Sequence, residues 1–560
     1  MVNFVLVVPK QTLNDLLASW LCLSDVGKLD AAMCNRSCRD IFNSSLSLRN
    51  FGGATDALCA SSKFISWVIK RKIKLDALHI ESSLLRPKNE KVRCKLLAVV
   101  GPTLRRAVIN CGKDTQFNSE YFTEYCDSDS DCDSDSDGDI KFDDDDCSCD
   151  GDITCAQDVD NLVEKKLIDE VIIDLSMKCT KLETFTVLGH HSGSVMSLLQ
   201  VNPKLRAISM RSCPKVLRCI PDLCPDISSI TITEQASSTD LKEFAAHVPL
   251  NLTQLCLSQT GVRLSLLMSV LERASLRELR LGCVPSDWST LATSCPNLEI
   301  FRCKLSYEVD VESFIAQLAK MMPNLRTLIL VWYTAYLSTT TLRKVLESFP
   351  RLRQLCADSK FEDKLSELPL SAGLAPPGHS AASGPVLEEL YVGNPCKYNQ
   401  QLFDLGEVLQ ACPALHSIGL SYGRWNGTTF QLYVAAGMVK RVCLDMDYAL
   451  SSHYTQLSGL QELEITGCTQ LDNSALRCIA NNCPQLTRLH VHDASMVTLP
   501  AVLEVLKRCP QLRSLECVYQ NEKEERSTEA KTREQSATVA VVEMCKLQYP
   551  RLQHLRLRFV

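Results

Sequence analysis

A chain of 560 residues is several times an ordinary domain length, which argues against one compact globule, and 45% hydrophobic with 22% charged residues excludes a disordered chain. The net charge of −6 hides a split: residues 126–152 hold 13 Asp and one Lys, and the other 59 basic and 53 acidic residues are too evenly matched and scattered to point to nucleic acid. The opening Met1-Val-Asn-Phe-Val-Leu-Val-Val-Pro9 lacks the features of an export signal, and no run of about eighteen apolar residues suits a bilayer.

The 29 cysteines are therefore expected as reduced thiols, in the cytoplasm or nucleus and with no membrane partner. In chain order, the first predicted elements are helical. Leu13, Leu16, Leu17, Trp20 and Leu21, then Val26, Leu29, Ala32 and Met33, fall at helical spacing across residues 12–43. Ser24 and Asp25 supply an N-cap between the two runs. The order Leu13-Asn-Asp-Leu-Leu17, Trp20-Leu-Cys-Leu-Ser-Asp-Val26, Leu29 and Cys34-Asn-Arg36 resembles an F-box. It lacks the motif's opening Leu-Pro, has one extra residue between Asp25 and Cys34, and needs Cys38 or Phe42 in place of the usual aromatic. The resemblance implies that Leu13, Leu16, Leu17, Trp20, Leu21, Val26 and Leu29 dock a Skp-type linker and, through it, a cullin. The other reading of residues 1–50 is a helical cap that shields the core of a repeat array. Both stay open at this level.

A helix carrying Phe64, Trp67 and Val68 comes next, and the basic run Lys70-Arg-Lys-Ile-Lys74 reads as a solvated face. Strands are predicted at Leu75-Asp-Ala-Leu-His-Ile80 and Leu104-Arg-Arg-Ala-Val-Ile109, so residues 51–125 hold the first repeats. Residues 126–157 read as a disordered acidic Asp/Ser insertion, because mutually repelling charges bury no apolar surface. Within it Ser128, Ser130, Ser134 and Ser136 each precede an Asp by three residues, a pattern that suits phosphorylation by acidophilic kinases. Asp133 to Asp144 also matches part of an EF-hand loop, but Asp/Ser alternation produces that match without the flanking helices it needs. Cys147-Ser-Cys149 has no second ligand pair, so no metal and no cofactor is expected.

From residue 158 to 560 one pattern dominates. Segments of the form Leu-x-x-Leu-x-Leu recur, clearest at Leu252, Leu276, Leu325 and Leu460, and also from Leu182, Leu205, Ile227, Leu298, Leu352, Leu387, Leu415, Val439, Leu486, Leu512 and Leu552. With the two earlier copies they make seventeen predicted strands, and from Leu182 to Leu512 the steps run from 21 to 35 residues. Cys-Pro pairs such as Cys412-Pro413, Cys483-Pro484 and Cys509-Pro510 stand before the strands, where proline stops a helix. Asp472 to Asn481 carries apolar residues at helical spacing, so each unit is a strand, a turn and a helix. Such a unit cannot close its own core and must stack on neighbours. Loop insertions interrupt the array at about 359–386 and 519–540.

Residues 460–486, from Leu460-Gln-Glu-Leu-Glu-Ile465 through Cys483-Pro-Gln-Leu486, resemble the cysteine-containing leucine-rich repeat typical of F-box substrate receptors. The resemblance implies an α/β leucine-rich-repeat solenoid, a right-handed βα superhelix of the ribonuclease-inhibitor-like horseshoe type with an α-helical N-terminal cap. It also implies a protein–protein interaction role in ubiquitin-dependent degradation. A scaffold or signalling protein with no ligase role is the alternative.

Strand alternation puts the leucines inward and the intervening residues on an open, concave face, the expected seat of a protein substrate. Trp332, Tyr333 and Tyr336, then Tyr391, then Tyr422 and Trp425, place aromatics at or near strand ends and suit an interaction hot spot, unless they fill gaps between strand and helix. Arg280, Arg302 and Lys304 suit an acidic partner segment. No nucleophile elbow, phosphate loop or zinc-protease motif is present, so no enzyme is expected. His490-x-His492 falls on one strand face but has no third ligand nearby in sequence, and reads as a surface pair.

Overall fold

The computed structural model describes residues 50–51, 62–72, 74–75, 77–81, 85, 89–110, 152–189, 193–233, 238–258, 270–271, 275–283, 295–305, 309–332, 339–357, 386–393, 405–421, 439–445, 458–466, 471–492, 497–518, 545 and 547–558. Residues 12–43, the four acidic-stretch serines and both loop insertions lie outside the described residues, apart from the flanks of those loops. The chain divides into two compact units, Met1–Pro285 and Ser286–Val560.

In the first unit a short pair, β1 (Asn50–Phe51) and β2 (Lys74–Leu75), runs parallel. A separate ladder follows: β3 (Ala77–Glu81), β4 (Arg106–Asn110), β5 (Thr184–Leu188), β6 (Ala207–Met210), β7 (Ser229–Ile232), β8 (Gln254–Leu257) and β9 (Glu278–Leu281). Each pairs in parallel with the next. The second unit carries β10 (Ile300–Leu305), β11 (Thr327–Trp332), β12 (Gln354–Ala357), β13 (Glu389–Gly393), β14 (Ser417–Ser421), β15 (Arg441–Asp445), β16 (Glu462–Thr466), β17 (Arg488–His492), β18 (Ser514–Val518) and β19 (His554–Arg558). These too are parallel, neighbour to neighbour. Every one of the seventeen strands expected from Leu-x-x-Leu-x-Leu is present, and the chain is an α/β leucine-rich-repeat solenoid.

Register explains the pattern. The second leucine of each repeat stacks on its counterpart, as in Leu463↔Leu489 and Leu489↔Leu515, and the third stacks two positions on, as in Ile465↔Val491↔Cys517. Both rows are buried, as is the first leucine of each repeat. Each fully buried leucine contributes about 2 kcal/mol, so the stacked rows are the main source of stability. The helices add their apolar faces. Asn473–Asn482 buries Ala475, Leu476, Ile479 and Ala480, and Leu499–Arg508 buries Ala501, Val502, Val505 and Leu506. The helix at Asp152–Lys178 starts inside the range read from sequence as acidic insertion, and its Asp174 meets the buried Arg93 at 3.2 Å.

Cys-Pro punctuation has a local cause. A residue before proline is pushed out of the helical region, and Cys483 leaves the helix at φ −121°, ψ 62° while its N–H still bonds Ile479 O. The thiols then bridge repeats: Cys509 Sγ approaches Cys483 O at 3.6 Å, and Cys224 Sγ approaches Asn202 O at 3.6 Å. Burial pushes Cys483 up to about 12 and Cys224 and Cys509 up to about 11, so these thiols stay protonated and unreactive.

Asp472 caps the start of that same helix, Asn473–Asn482, accepting from Ala475 N–H at 2.8 Å. That bond and one from Ser474 hold its carboxyl below the usual 3.8. A depressed folded value means the cap stabilises above the unfolded value and is lost as pH falls through the folded one. Asp472→Ala is expected to cost about 1 kcal/mol at pH 7 and progressively less as pH falls through the folded value, read as faster amide exchange in residues 473–482.

Candidate functional site

Opposite the leucine rows, alternate strand residues form columns along each ladder. In the first unit the middle column reads Thr186, Ser209, Thr231, Cys256 and Arg280 from β5 to β9. The first four are half-buried and small, and Arg280 is exposed. Arg280 is ion-paired to Glu278 of its own strand, so its charge is partly engaged before any partner arrives. Arg302 and Lys304 lie on β10 in the second unit, both half-buried and both on this face. The structure therefore puts Arg302 and Lys304 together, and Arg280 in the other unit.

Tyr391 departs from the sequence expectation. It lies on the open-face column, yet it is 0% exposed, which removes it from any interaction hot spot. It forms a buried cluster with Cys356 and Cys443, flanked by Ile329. The reason lies on the next strand. Gly419 pairs with Tyr391, and a Cβ built there would overlap Tyr391 Cδ1 and stand 3.0 Å from Cε1, so the ring lies over the glycine. Its hydroxyl reaches Ser417 Oγ at 2.9 Å, and burial pushes the phenol well above its usual value. Tyr391 packs; it does not present itself. Trp332 ends β11, but its side chain, like Tyr333, Tyr336, Tyr422 and Trp425, lies outside the described residues.

Beyond that cluster the face becomes charged. Glu462 sits between Arg441 at 3.6 Å and Arg488 at 3.3 Å. The middle column then runs Glu464, His490, Glu516. His492 follows His490 on the same face, and the donor atoms of His490, His492 and Glu516 all lie within 4.8 Å of one another. His554 of β19 adds a third imidazole, its Nε2 3.7 Å from Glu516 Oε2 and its ring centroid 6.4 Å from that of His490. Sequence distance hid this group. The signal was register: His490 and Glu516 each follow the second leucine of their repeat, so stacking makes them neighbours.

No helix among the described residues is long and apolar enough to cross a membrane. No family model matches the sequence, and no curated protein matches it. Solved structures do. The TLR13–ssRNA13 complex is 16% identical with a TM-score of 0.34, over 61% of this chain and 50% of that one, so the chain spans half the length of that protein. The leucine-rich-repeat-containing protein LegL7 from Legionella pneumophila is 10% identical with a TM-score of 0.26, over 61% of this chain and 85% of that one. A chain of the yeast Rad7–Elc1 complex is 11% identical with a TM-score of 0.27, over 60% of this chain and 75% of that one.

Proposed function

We propose that this chain is a non-enzymatic protein-binding module whose open strand face holds a protein partner. The observation behind the reading is the chemistry of that face. Two parallel ladders hold backbone rigid while polar and charged side chains, among them Arg302, Lys304, Arg441 and Glu462, stand in columns that a partner surface or extended segment can match. In the finer form of the proposal, residues 12–43 dock a Skp-type linker and cullin, and the partner is a substrate held near a ubiquitin ligase. Its support is the F-box-like order of Leu13, Trp20, Val26 and Leu29 and the cysteine-containing repeat at 460–486. Mechanism is then effective concentration: tethering the substrate beside the ligase makes ubiquitin transfer intramolecular in kind. The departures from the F-box pattern favour a scaffold without a ligase as the second reading.

Co-purification from cells separates the two. Deleting residues 12–43 is expected to lose linker and cullin and keep the cargo. Arg302→Glu with Lys304→Glu is expected to keep the linker and weaken cargo capture by about 10- to 100-fold. Full-length protein that never recovers linker or cullin ends the adaptor reading, and cargo capture indifferent to the paired charge reversal ends the open-face reading.

A further inference from the structure

We propose that His490, His492 and Glu516 form a binding site for a zinc-class divalent ion on the open face of strands β17 and β18. The inference stands apart from the adaptor reading and rests on three structural observations.

The donor set comes first. Two imidazoles and one carboxylate suit borderline ions such as zinc(II), whereas calcium and magnesium prefer all-oxygen shells. Geometry is second. Bonds of about 2.0–2.1 Å at tetrahedral angles set donors about 3.3 Å apart. The three donor atoms here lie within 4.8 Å of one another, so small side-chain rotations bring them onto one ion without moving the strands. The positions are fixed by the ladder: His490 and His492 alternate onto one face of β17, and Glu516 pairs with His490 across to β18. The third is the hydroxyl behind the His490 ring. His490 Nε2 lies 2.9 Å from Ser514 Oγ. When that hydroxyl accepts, Nδ1 keeps its lone pair, the arrangement in which a metal-binding histidine is oriented by its other nitrogen.

Glu516 brings negative charge to the site, and His554 stands at its rim. Glu516 is buried, while His490 and His492 are half-buried, so an ion has a path from solvent and a partly dry seat.

The test uses the full chain, stripped with a chelator and then freed of it. Cobalt(II) is titrated as a spectroscopic probe and zinc(II) by calorimetry, in the unaltered protein and in His490→Asn, His492→Asn and Glu516→Gln. The expected result is one cobalt equivalent per chain that is lost in the variants, with d–d bands and no thiolate-to-cobalt charge transfer. Each variant is expected to weaken zinc binding by more than the roughly 10- to 100-fold typical of outer-shell changes, and Ser514→Ala by an amount within that range. The absence of thiolate bands matters, because a chain with 29 cysteines offers thiols as competing ligands. His492→Asn alters a half-buried side chain and Glu516→Gln is isosteric, and circular dichroism verifies that both keep the fold. Binding of equal stoichiometry and affinity in all three variants overturns the proposal. So does a cobalt spectrum dominated by thiolate ligation.

Discussion

Replacing Asn202 by leucine is expected to speed amide exchange of Leu182 and its neighbours in β5 and β6 by about 100-fold, although the two side chains are similar in size. Asn202 is 1% exposed and makes three side-chain hydrogen bonds, two of which tie its repeat to the preceding one. Its Oδ1 accepts from Leu182 N–H at 2.8 Å, and its Nδ2 donates to Cys179 O at 2.9 Å and to Leu198 O at 3.0 Å. Leucine fills the space but takes this partner from one buried donor, Leu182 N–H, and from two carbonyl acceptors, Cys179 O and Leu198 O. Each orphan costs about 1–3 kcal/mol, so a total near 3 kcal/mol follows, or about 100-fold in a local opening equilibrium. Local exchange is the right readout because a repeat array gains stability from nearest neighbours, and a single unfolding free energy is poorly defined at this length. Asn202→Cys makes the argument sharper. Cys224, at the same place one repeat on, already offers its thiol to Leu199 O and Asn202 O at 3.8 and 3.6 Å. Cysteine at 202 is therefore expected to restore the donor but not the acceptor, and to fall between asparagine and leucine. If Leu182 exchanges at the same rate in the leucine variant, the side chain is not what joins these repeats.

The contrast between Asn202 and the strands marks what a sequence discloses. A row of leucines repeats, and repetition is visible in one dimension; hence all seventeen ladder strands could be placed from Leu-x-x-Leu-x-Leu. The pair β1–β2 escaped because Asn50–Phe51 follows only half of the pattern, Leu48-x-x-Phe51. Function-bearing contacts lie across the ladder instead of along the chain. Tyr391 reads as an exposed aromatic until Gly419, 28 residues later, is known to lie beside it. His490 and Glu516 likewise meet only through register. Aligning repeats on their second leucine would have exposed both pairings, because the column is set once the strands are parallel and unslipped. Side-chain exposure would still have been missing. Nothing in the spacing says that Cys356, Tyr391 and Cys443 are buried, whereas Ser209 and Thr231, at the corresponding strand positions of the other unit, are half-exposed.

Tyr391→Ala and Gly419→Ala are expected to destabilise strands β13 to β15 separately, and the Gly419 change is expected to add little once the ring is gone. Removing the ring empties a fully buried volume, and large aromatic-to-alanine changes in cores cost about 3–5 kcal/mol. Adding a methyl at Gly419 drives it into that ring, an overpacking change that costs about 1–3 kcal/mol. In the double variant the methyl enters space the ring has left, so the Gly419 substitution loses its penalty. The coupling energy should then reach about 1–2 kcal/mol, well above the few tenths seen between independent sites. Tyr391→Phe serves as the control. It keeps the ring over Gly419, loses the contact with Ser417 Oγ, and should cost about 1 kcal/mol with the Gly419 clash undiminished. Amide exchange in β13–β15 measures all four proteins, and partner capture can be read on the same samples. Simple additivity of the two alanine changes would mean that the ring does not lie over Gly419. Tyr391 would then have to be returned to the exposed surface, where a single-residue aromatic contact with a partner becomes the better account of it.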